Sequence, residues 1–466
     1  MTIATDYSAT LAGLDRPRPP EFTVGPADGA DIAAYRRLRR IAFVEQQRLF
    51  DGGSDADDVD EDPRAIVLVA RDRDGAVIGG VRLAPATVPD LGWWEGSRLV
   101  VRPTVRRGSA GGVGAALVRA ACAHAEAAGA LRFEASVQLP VVRFFTRLGW
   151  SEVGECTIGG LPHRRMRWPI RRVQALVDAT KTSLGPLLAG LRPGGAGFVG
   201  DDGAPVPGSD LVAACDAIVP AMVERDPEWA GWCGVLVNVN DLAAMGATGV
   251  GLLDAVGAAD AGAAARVLSG LRAAADAYGV PILGGHTQLG VPAALTVTAL
   301  GRTDDPVPAA GGRPGDHVTL IADLAGGWRP GYAGRQWDST TSRRAPELHT
   351  MVTTLTRHRP AAAKDVSMAG VLGTLGMLAE ASGCGAELDV AALPRPAGAS
   401  VGDWLTCFPG FALLTADRPS RAAPAAGPAE AARCGRLTAG DEVSLCWPDG
   451  VRTPAVAGPV TGLGPG

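Results

Sequence analysis

The chain has 466 residues, 47% hydrophobic and 20% charged, a mix that excludes wholesale disorder and at this length calls for two or three domains. A net charge of −5 and only 5% aromatic residues exclude the basic footprint and stacking platform of a nucleic-acid binder. Eight scattered cysteines without a CxxC, an N-terminus with no basic or apolar leader, and no apolar run of about 18 residues predict a cytoplasmic chain with no zinc site, disulfide framework or membrane span.

Residues 1–20 close on Arg16-Pro-Arg-Pro-Pro20 and read as a lead outside the folded domains. A first domain is predicted over 21–170. Its Ala33–Arg48 stretch is helical in pattern, with Leu38, Ala42 and Glu45 about one turn apart. Ala65–Ala70 and Ala76–Leu83 are strands joined by the turn Arg71-Asp-Arg-Asp-Gly75. Arg98–Val101 is a further strand, followed by a glycine-rich turn and a helix from Val113 to Ala128 that stops at Gly129. Leu131–Val137 is a strand, and a short helix ends at Leu148-Gly-Trp150. Residues 171–196 are predicted as a linker helix, 197–310 and 311–466 as the two halves of a second module. There Val235–Val239 and Ala294–Gly301 read as strands, and Asp241–Ala247, Ala263–Tyr278 and Ala369–Ser382 as helices. The alternation gives mixed α/β and α+β layers.

The turn from Val101 to Ala116 collects backbone N–H groups between a strand and a helix start, an arrangement that receives phosphate, and Arg106 and Arg107 add charge for a pyrophosphate. A plain strand–helix connection is the alternative. The order helix, hairpin, strand, glycine turn, helix, strand, then Phe144-Phe-Thr-Arg-Leu-Gly-Trp150 resembles the GNAT acetyltransferase superfamily over residues 22–169. The resemblance implies acetyl-CoA at Val101, Arg106, Arg107, Gly112, Val113 and Gly114, on the stretch Ser109-Ala-Gly-Gly-Val-Gly114, where serine replaces the family's leading arginine or glutamine. The family's acidic tyrosine is Phe145 here. Glu45, Glu95 and Glu134 are candidate bases for an amine substrate, or else surface carboxylates. The run Asp51–Asp62 lacks EF-hand spacing, which excludes calcium; it reads as a solvated loop or an attractor of a cationic amine.

In the second half, Gly200-Asp-Asp202, Cys215-Asp216, Asn240-Asp241 and Gly284-Gly-His-Thr287 place carboxylates and glycine backbones at element ends, which suits Mg2+ bridging a polyphosphate. With Pro314-Gly-Asp316, Lys364-Asp-Val-Ser-Met-Ala-Gly370 and Glu380-Ala-Ser-Gly-Cys-Gly-Ala386, these stretches make residues 197–416 resemble the AIR synthase (PurM-like) superfamily. That resemblance implies Asp201, Asp202, Asp216 and Asp241 as ligands of Mg2+ and ATP, Asn240, Gly284 and Gly285 as phosphate contacts, Asp365 on the substrate side, and a homodimer formed through this module. Met368 stands where the family pattern has an aspartate. Lys364 is a candidate point charge for phosphate or a surface lysine. Trp328–Arg344 reads as a substrate lid or a loop packed by its tryptophans.

The fused architecture resembles a bacterial family of nitrogen-starvation acetyltransferases joined to AIR-synthase-related domains. It implies a GNAT fold followed by a two-part PurM-like ATP-binding module, and a bifunctional enzyme. One activity acetylates a small amine from acetyl-CoA, and the other uses Mg·ATP to phosphorylate or activate a small metabolite in nitrogen metabolism. The alternative keeps the ATP enzyme and makes the GNAT domain a non-catalytic acyl-CoA sensor.

Overall fold

The computed structural model describes residues 21–50, 53–103, 112–191 and 193–466, and the chain divides into two units, Met1–Ile170 and Arg171–Gly466. In the first, strand β1 (Phe22–Pro26) leads to α1 (Gly29–Arg39), which starts on a capping box between Asp28 and Asp31 and runs on into a π-helical turn, Arg40–Gln46. Then come β2 (Ile66–Asp72), β3 (Val77–Pro85), β4 (Trp93–Val101), α2 (Val113–Ala127), β5 (Arg132–Gln138), α3 (Val142–Arg147), β6 (Ser151–Ile158) and β7 (Leu161–Trp168). The seven strands form one sheet in the order β1-β2-β3-β4-β5-β7-β6, antiparallel except for β4 and β5. Val113, Leu117, Ala121 and Ala125 make one face of α2 and are buried with Phe133, Phe145 and Trp150.

The β4–β5 pair is short. It runs from Trp93↔Arg132 to Gly96↔Ala135, after which β4 continues to Val101 and β5 to Gln138 without pairing. Arg98 in the unpaired part of β4 has a positive φ of 55°, and the β3–β4 register shifts between Gly80 and Arg82. The two strands therefore part into a cleft at their C-terminal ends.

The second unit opens with α4 (Arg172–Thr180) and a short helix, Leu184–Leu188. Strands β8 (Ala204–Pro205), β9 (Leu211–Ile218), β10 (Thr248–Ala258), β11 (Ile282–Leu289) and β12 (Ala294–Arg302) form a sheet ordered β11-β10-β12-β9-β8. Helices α5 (Pro227–Ala244) and α6 (Ala261–Tyr278) pack with it. A second sheet contains β13 (His317–Ala322), β16 (Ala362–Asp365), β17 (Gly385–Asp389), β18 (Ala412–Asp417), β19 (Glu430–Thr438), β20 (Val443–Cys446) and β21 (Arg452–Val456), in the order β16-β18-β13-β19-β17-β20-β21. A ribbon of β14 (Gly327–Trp328) and β15 (Trp337–Asp338) stands apart, and α7 (Gly370–Ala381) follows β16.

Two expectations are corrected. Val235–Val239 is not a strand but the middle of α5, whose residues are buried almost all round; a short apolar run has no periodicity that separates buried helix from buried strand. Nor is 171–196 a free linker. Arg172 pairs with Asp403 at 2.7 Å, Val177 is buried against α7, and the Gly185 N–H donates to the Thr461 carbonyl at 2.7 Å. The segment is built into the second unit because its apolar face has a partner there.

Candidate functional site

Four separate elements deliver carboxylates to one place in the second unit. A turn at Gly200, with φ of 74°, presents Asp201 and Asp202. Asp216 lies on β9, Asp241 near the end of α5, and Asp365 at the end of β16. Carboxylate oxygens of Asp202, Asp241 and Asp365 all lie within 4.8 Å of one another. Asp216 hydrogen-bonds to Asp241.

Burial pushes the Asp241 carboxyl well above its ordinary range, and Asp365, Asp216 and Asp202 push it further. Burial, then Asp202 and Asp216, do the same to Asp365. Asp201, raised by burial to about 7, accepts the Ala309 N–H at 3.0 Å on one oxygen and has no protein partner on the other. Asp365 Oδ2 is likewise buried and unpartnered. Orphaned buried oxygens among converging carboxylates fit a hard divalent cation, which takes oxygen ligands and removes the repulsion. Asp202, Asp241 and Asp365 would hold it.

In the first unit the cleft between β4 and β5 opens beside the start of α2. Val101 ends β4, Gly112 is the N-cap of α2, and Val113 turns its side chain into the core. A Cβ on Gly114 would meet the Phe144 ring at 3.6 Å and Val101 Cγ2 at 3.8 Å. The first turn of this 15-residue helix, whose N–H groups have no partner within the helix, thus lies next to the cleft. Arg106 and Arg107 lie outside the described residues.

Three family models match the chain: the acetyltransferase (GNAT) family over residues 33–150, the AIR synthase related protein N-terminal domain over 200–303, and the AIR synthase related protein C-terminal domain over 313–447. An uncharacterized protein of Synechocystis, sll0787, is 37% identical over 229 residues, covering 47% of this chain and 70% of that protein. A thiamine-monophosphate kinase of Halobacterium salinarum is 31% identical over 224 residues, covering 45% and 77%. The chain belongs to the AIR synthase related family. Among solved structures, T. maritima PurL complexed with FGAR matches with a TM-score of 0.50 at 15% identity, over 62% of this chain and 54% of that one, and has the same fold. A thiamine monophosphate kinase from Aquifex aeolicus matches with a TM-score of 0.41 at 20% identity, over 54% and 92%. This AIR synthase related protein carries a GNAT domain in front, and the pair makes it an enzyme of acyltransferase and ATP-dependent, kinase-like class.

Several expected residues take other roles. Asp365 sits among the converging carboxylates, with Asp202 and Asp241, rather than apart on a substrate side. Asp201 stays outside that trio, engaged with Ala309. Lys364, only 3% exposed, donates to Asp202 at 2.5 Å and to the Gly200 carbonyl at 3.1 Å, so its ammonium is spent on the aspartate loop and not open to phosphate. Burial alone would lower its pKa, but Asp202, then Asp201 and Asp365, hold it above the ordinary value. Asn240, 0% exposed, donates to the Gly410 carbonyl at 2.8 Å inside the core and ties α5 to that loop.

Gly284 and Gly285 do not end a strand; they lie within edge strand β11, and the missing side chain of Gly285 makes room for Asp254. Gly285, Asp254, Val297 and Asp216 form one row across the sheet. Three strand steps of ~4.8 Å put the glycine about 14 Å from Asp216. Within one chain, the glycine pair does not stand beside Asp216.

The first unit brings further corrections. Glu134 is 1% exposed and clamped by Arg132 at 2.8 Å and Arg167 at 2.6 Å, which closes it to an incoming amine. Glu45 is exposed on the π-helical turn, 3.4 Å from Arg40. Glu95 is the exposed carboxylate at the last stretch of β4–β5 pairing. Phe145 packs edge-on against Phe144 and Trp150 in the core, 7% exposed. The acidic loop, described from residue 53, keeps Asp58 and Glu61 exposed but turns its other aspartates onto arginines. Asp55, Asp57 and Asp60 pair with Arg39, Arg82 and Arg98, at distances of 2.6–3.3 Å, and the two arginines Arg39 and Arg82 are 1% exposed.

The segment Trp328–Arg344 packs as a loop instead of forming a lid. Arg329 stacks on Trp229 and pairs with Asp226 and Asp338, Arg343 pairs with Asp323, and Trp337 is buried. The sequence marks Lys181 by its rarity but gives it no role; it stands at the C-cap of α4, and its charge lowers the carboxyls of both Asp216 and Asp365 against burial.

Proposed function

We propose that the second unit binds Mg·ATP and transfers its terminal phosphoryl group to an oxygen of a small metabolite, activating it, while the first acetylates a small amine from acetyl-CoA. The observation that carries this reading is the convergence of the Asp202, Asp241 and Asp365 carboxylates, buried and short of positive charge. Bound there, Mg2+ would neutralise phosphate oxygens and stabilise charge on the transferring group. The chain's own residues do the rest: Lys364 fixes Asp202, Asp202 also accepts the Asp365 N–H at 2.7 Å, and Asp216 orients Asp241. In the first unit the open ends of β4 and β5 would receive the acyl group, with the α2 N–H groups facing the pyrophosphate of acetyl-CoA. The placement in nitrogen metabolism rests on the resemblance of the fused architecture, and that in the cytoplasm on the eight scattered cysteines without a CxxC. No helix among the described residues is long and apolar enough to cross a membrane.

A homodimer through the AIR-synthase-related module belongs to the same reading. Edge strand β11 leaves one side unpaired and exposes Ile282, Leu283 and Leu289. The test of the ATP activity is Mg-dependent ADP release by the full chain across a metabolite panel. Release by the parent and its loss in Asp241→Asn supports the reading; equal release by both refutes it.

The buried Phe145 and the clamped Glu134 favour a second reading of the first unit, a non-catalytic acyl-CoA sensor. Acetyl-CoA binding without thiol release across an amine panel is its expected result, and amine-dependent thiol release rules it out.

A further inference from the structure

Of 44 basic residues in the chain, only Lys181 and Lys364 are lysines, and both stand at the aspartate cluster. Lys364 is bound and buried. Lys181 is different: it is partly exposed, and its ammonium makes no hydrogen bond or ion pair among the described residues.

Its place is fixed from both sides. On one side its own N–H donates to the Val177 carbonyl at 2.8 Å, and Val177 is buried beside Gly373, where a Cβ would stand 3.2 Å from Val177 Cγ2. Gly373 lies in the first turn of α7, the helix that follows Asp365. On the other side Gly185 is pressed against the chain's last segment so tightly that a Cβ would come within 2.7 Å of the Thr461 and Gly462 carbonyl oxygens. That same segment passes the aspartate loop, with Leu463 Cδ1 2.9 Å from where a Gly200 Cβ would be. Glu380 locks it, accepting the N–H groups of Val460, Thr461 and Gly464 and the Thr461 hydroxyl at 2.7–3.1 Å. Glu380 thus fixes the one segment that touches both the stretch carrying Lys181, at Gly185, and the loop carrying Asp202, at Gly200.

We propose that Lys181 is the phosphate-binding cation of the site, contacting the non-bridging oxygens of the nucleotide's terminal phosphates. This rests on the Mg·ATP reading above. An ammonium is a compact point charge with three donors on a flexible stem, which can follow a phosphate as it moves. The charge balance requires such a group: the five aspartates have one bound lysine between them, and a triphosphate brought to them on a metal adds negative charge that Lys364 cannot meet.

The test uses the full chain and the substitution Lys181→Met, with Mg·ATP and AMP binding followed calorimetrically and binding of Mn2+ alone followed by electron paramagnetic resonance. Lys181→Met is expected to weaken Mg·ATP about 30-fold and leave AMP within about twofold, since only a charge-assisted phosphate contact is lost. Binding of Mn2+ alone should tighten by about threefold, because a positive charge has left the aspartates. The opposite signs separate this role from a structural one, and a misfolded variant cannot produce the tightening. Mg·ATP affinity within twofold of the parent, or loss of ATP and Mn2+ binding together, overturns the assignment of Lys181 alone. Failure of the parent chain to bind Mg·ATP overturns the assignment and the Mg·ATP reading with it.

Discussion

The two units each bury a cluster of aspartates, and the clusters differ in charge balance. In the first, Asp55, Asp57 and Asp60 face Arg39, Arg82 and Arg98, one guanidinium for each carboxylate. Burial would raise Asp57 and Asp60, but Arg82 and Arg39 respectively, with their neighbours, hold both below the ordinary carboxyl value. In the second, Asp201, Asp202, Asp216, Asp241 and Asp365 have only Lys364 and Lys181, and four of the five carboxyls are raised. A balanced cluster is finished when the chain folds, and a deficient one waits for a cation. The lesson is that acidic residues in a sequence point to a site only when their basic partners are counted too.

The comparison can be broken most sharply at Asp241. Asp241→Asn should lower affinity for Mg·ATP by roughly 100-fold, measured calorimetrically, while raising the melting temperature of the metal-free chain because a repelled carboxylate is gone. Arg82→Ala is the counterpart in the first unit. It leaves Asp57 and Asp60 short of a buried partner and should cost about 3–5 kcal/mol in urea unfolding of that unit, with Mg·ATP binding unchanged.

pH separates the clusters by sign. A carboxyl raised in the folded state binds its proton more tightly there than when unfolded, so its contribution favours folding at low pH and is lost as pH rises. For Asp201 that loss is complete above about 7. The depressed carboxyls of the first unit lose their contribution only below about pH 4. Between pH 5.5 and 8 the metal-free chain should therefore lose about 5 °C of melting temperature, and saturating Mg2+ should abolish the difference. The smallest effect is expected at Glu45: its exposed pair with Arg40 predicts that Glu45→Gln changes acetyl-CoA-dependent thiol release by less than about twofold.

The sheet-and-helix order of the first unit was legible from α1 to Trp150, because glycines and alternating apolar residues punctuate β2, β3, α2 and β5, while the edge strand β1 went unread. The hairpin β6–β7 was not, since Ser151–Ile158 is exposed on nearly every residue and has no alternation to read. The identity of the aspartates was legible through their glycine and asparagine neighbours. Their division of labour was not. Lys364 reaches Gly200 and Asp202 from more than 160 residues away, and Glu134 meets Arg167 only through the β5–β7 pairing, contacts that no local spacing encodes.

The row that sets Gly285 three strands from Asp216 also acts as a ruler. No rotation of side chains shortens a span built from hydrogen-bonded backbones. In the proposed homodimer the glycine pair of β11 would serve the neighbour's site. In that proposed assembly catalytic output per molecule would fall as the preparation is diluted, and a kinetic assay run at nanomolar enzyme would measure dissociation before it measured chemistry.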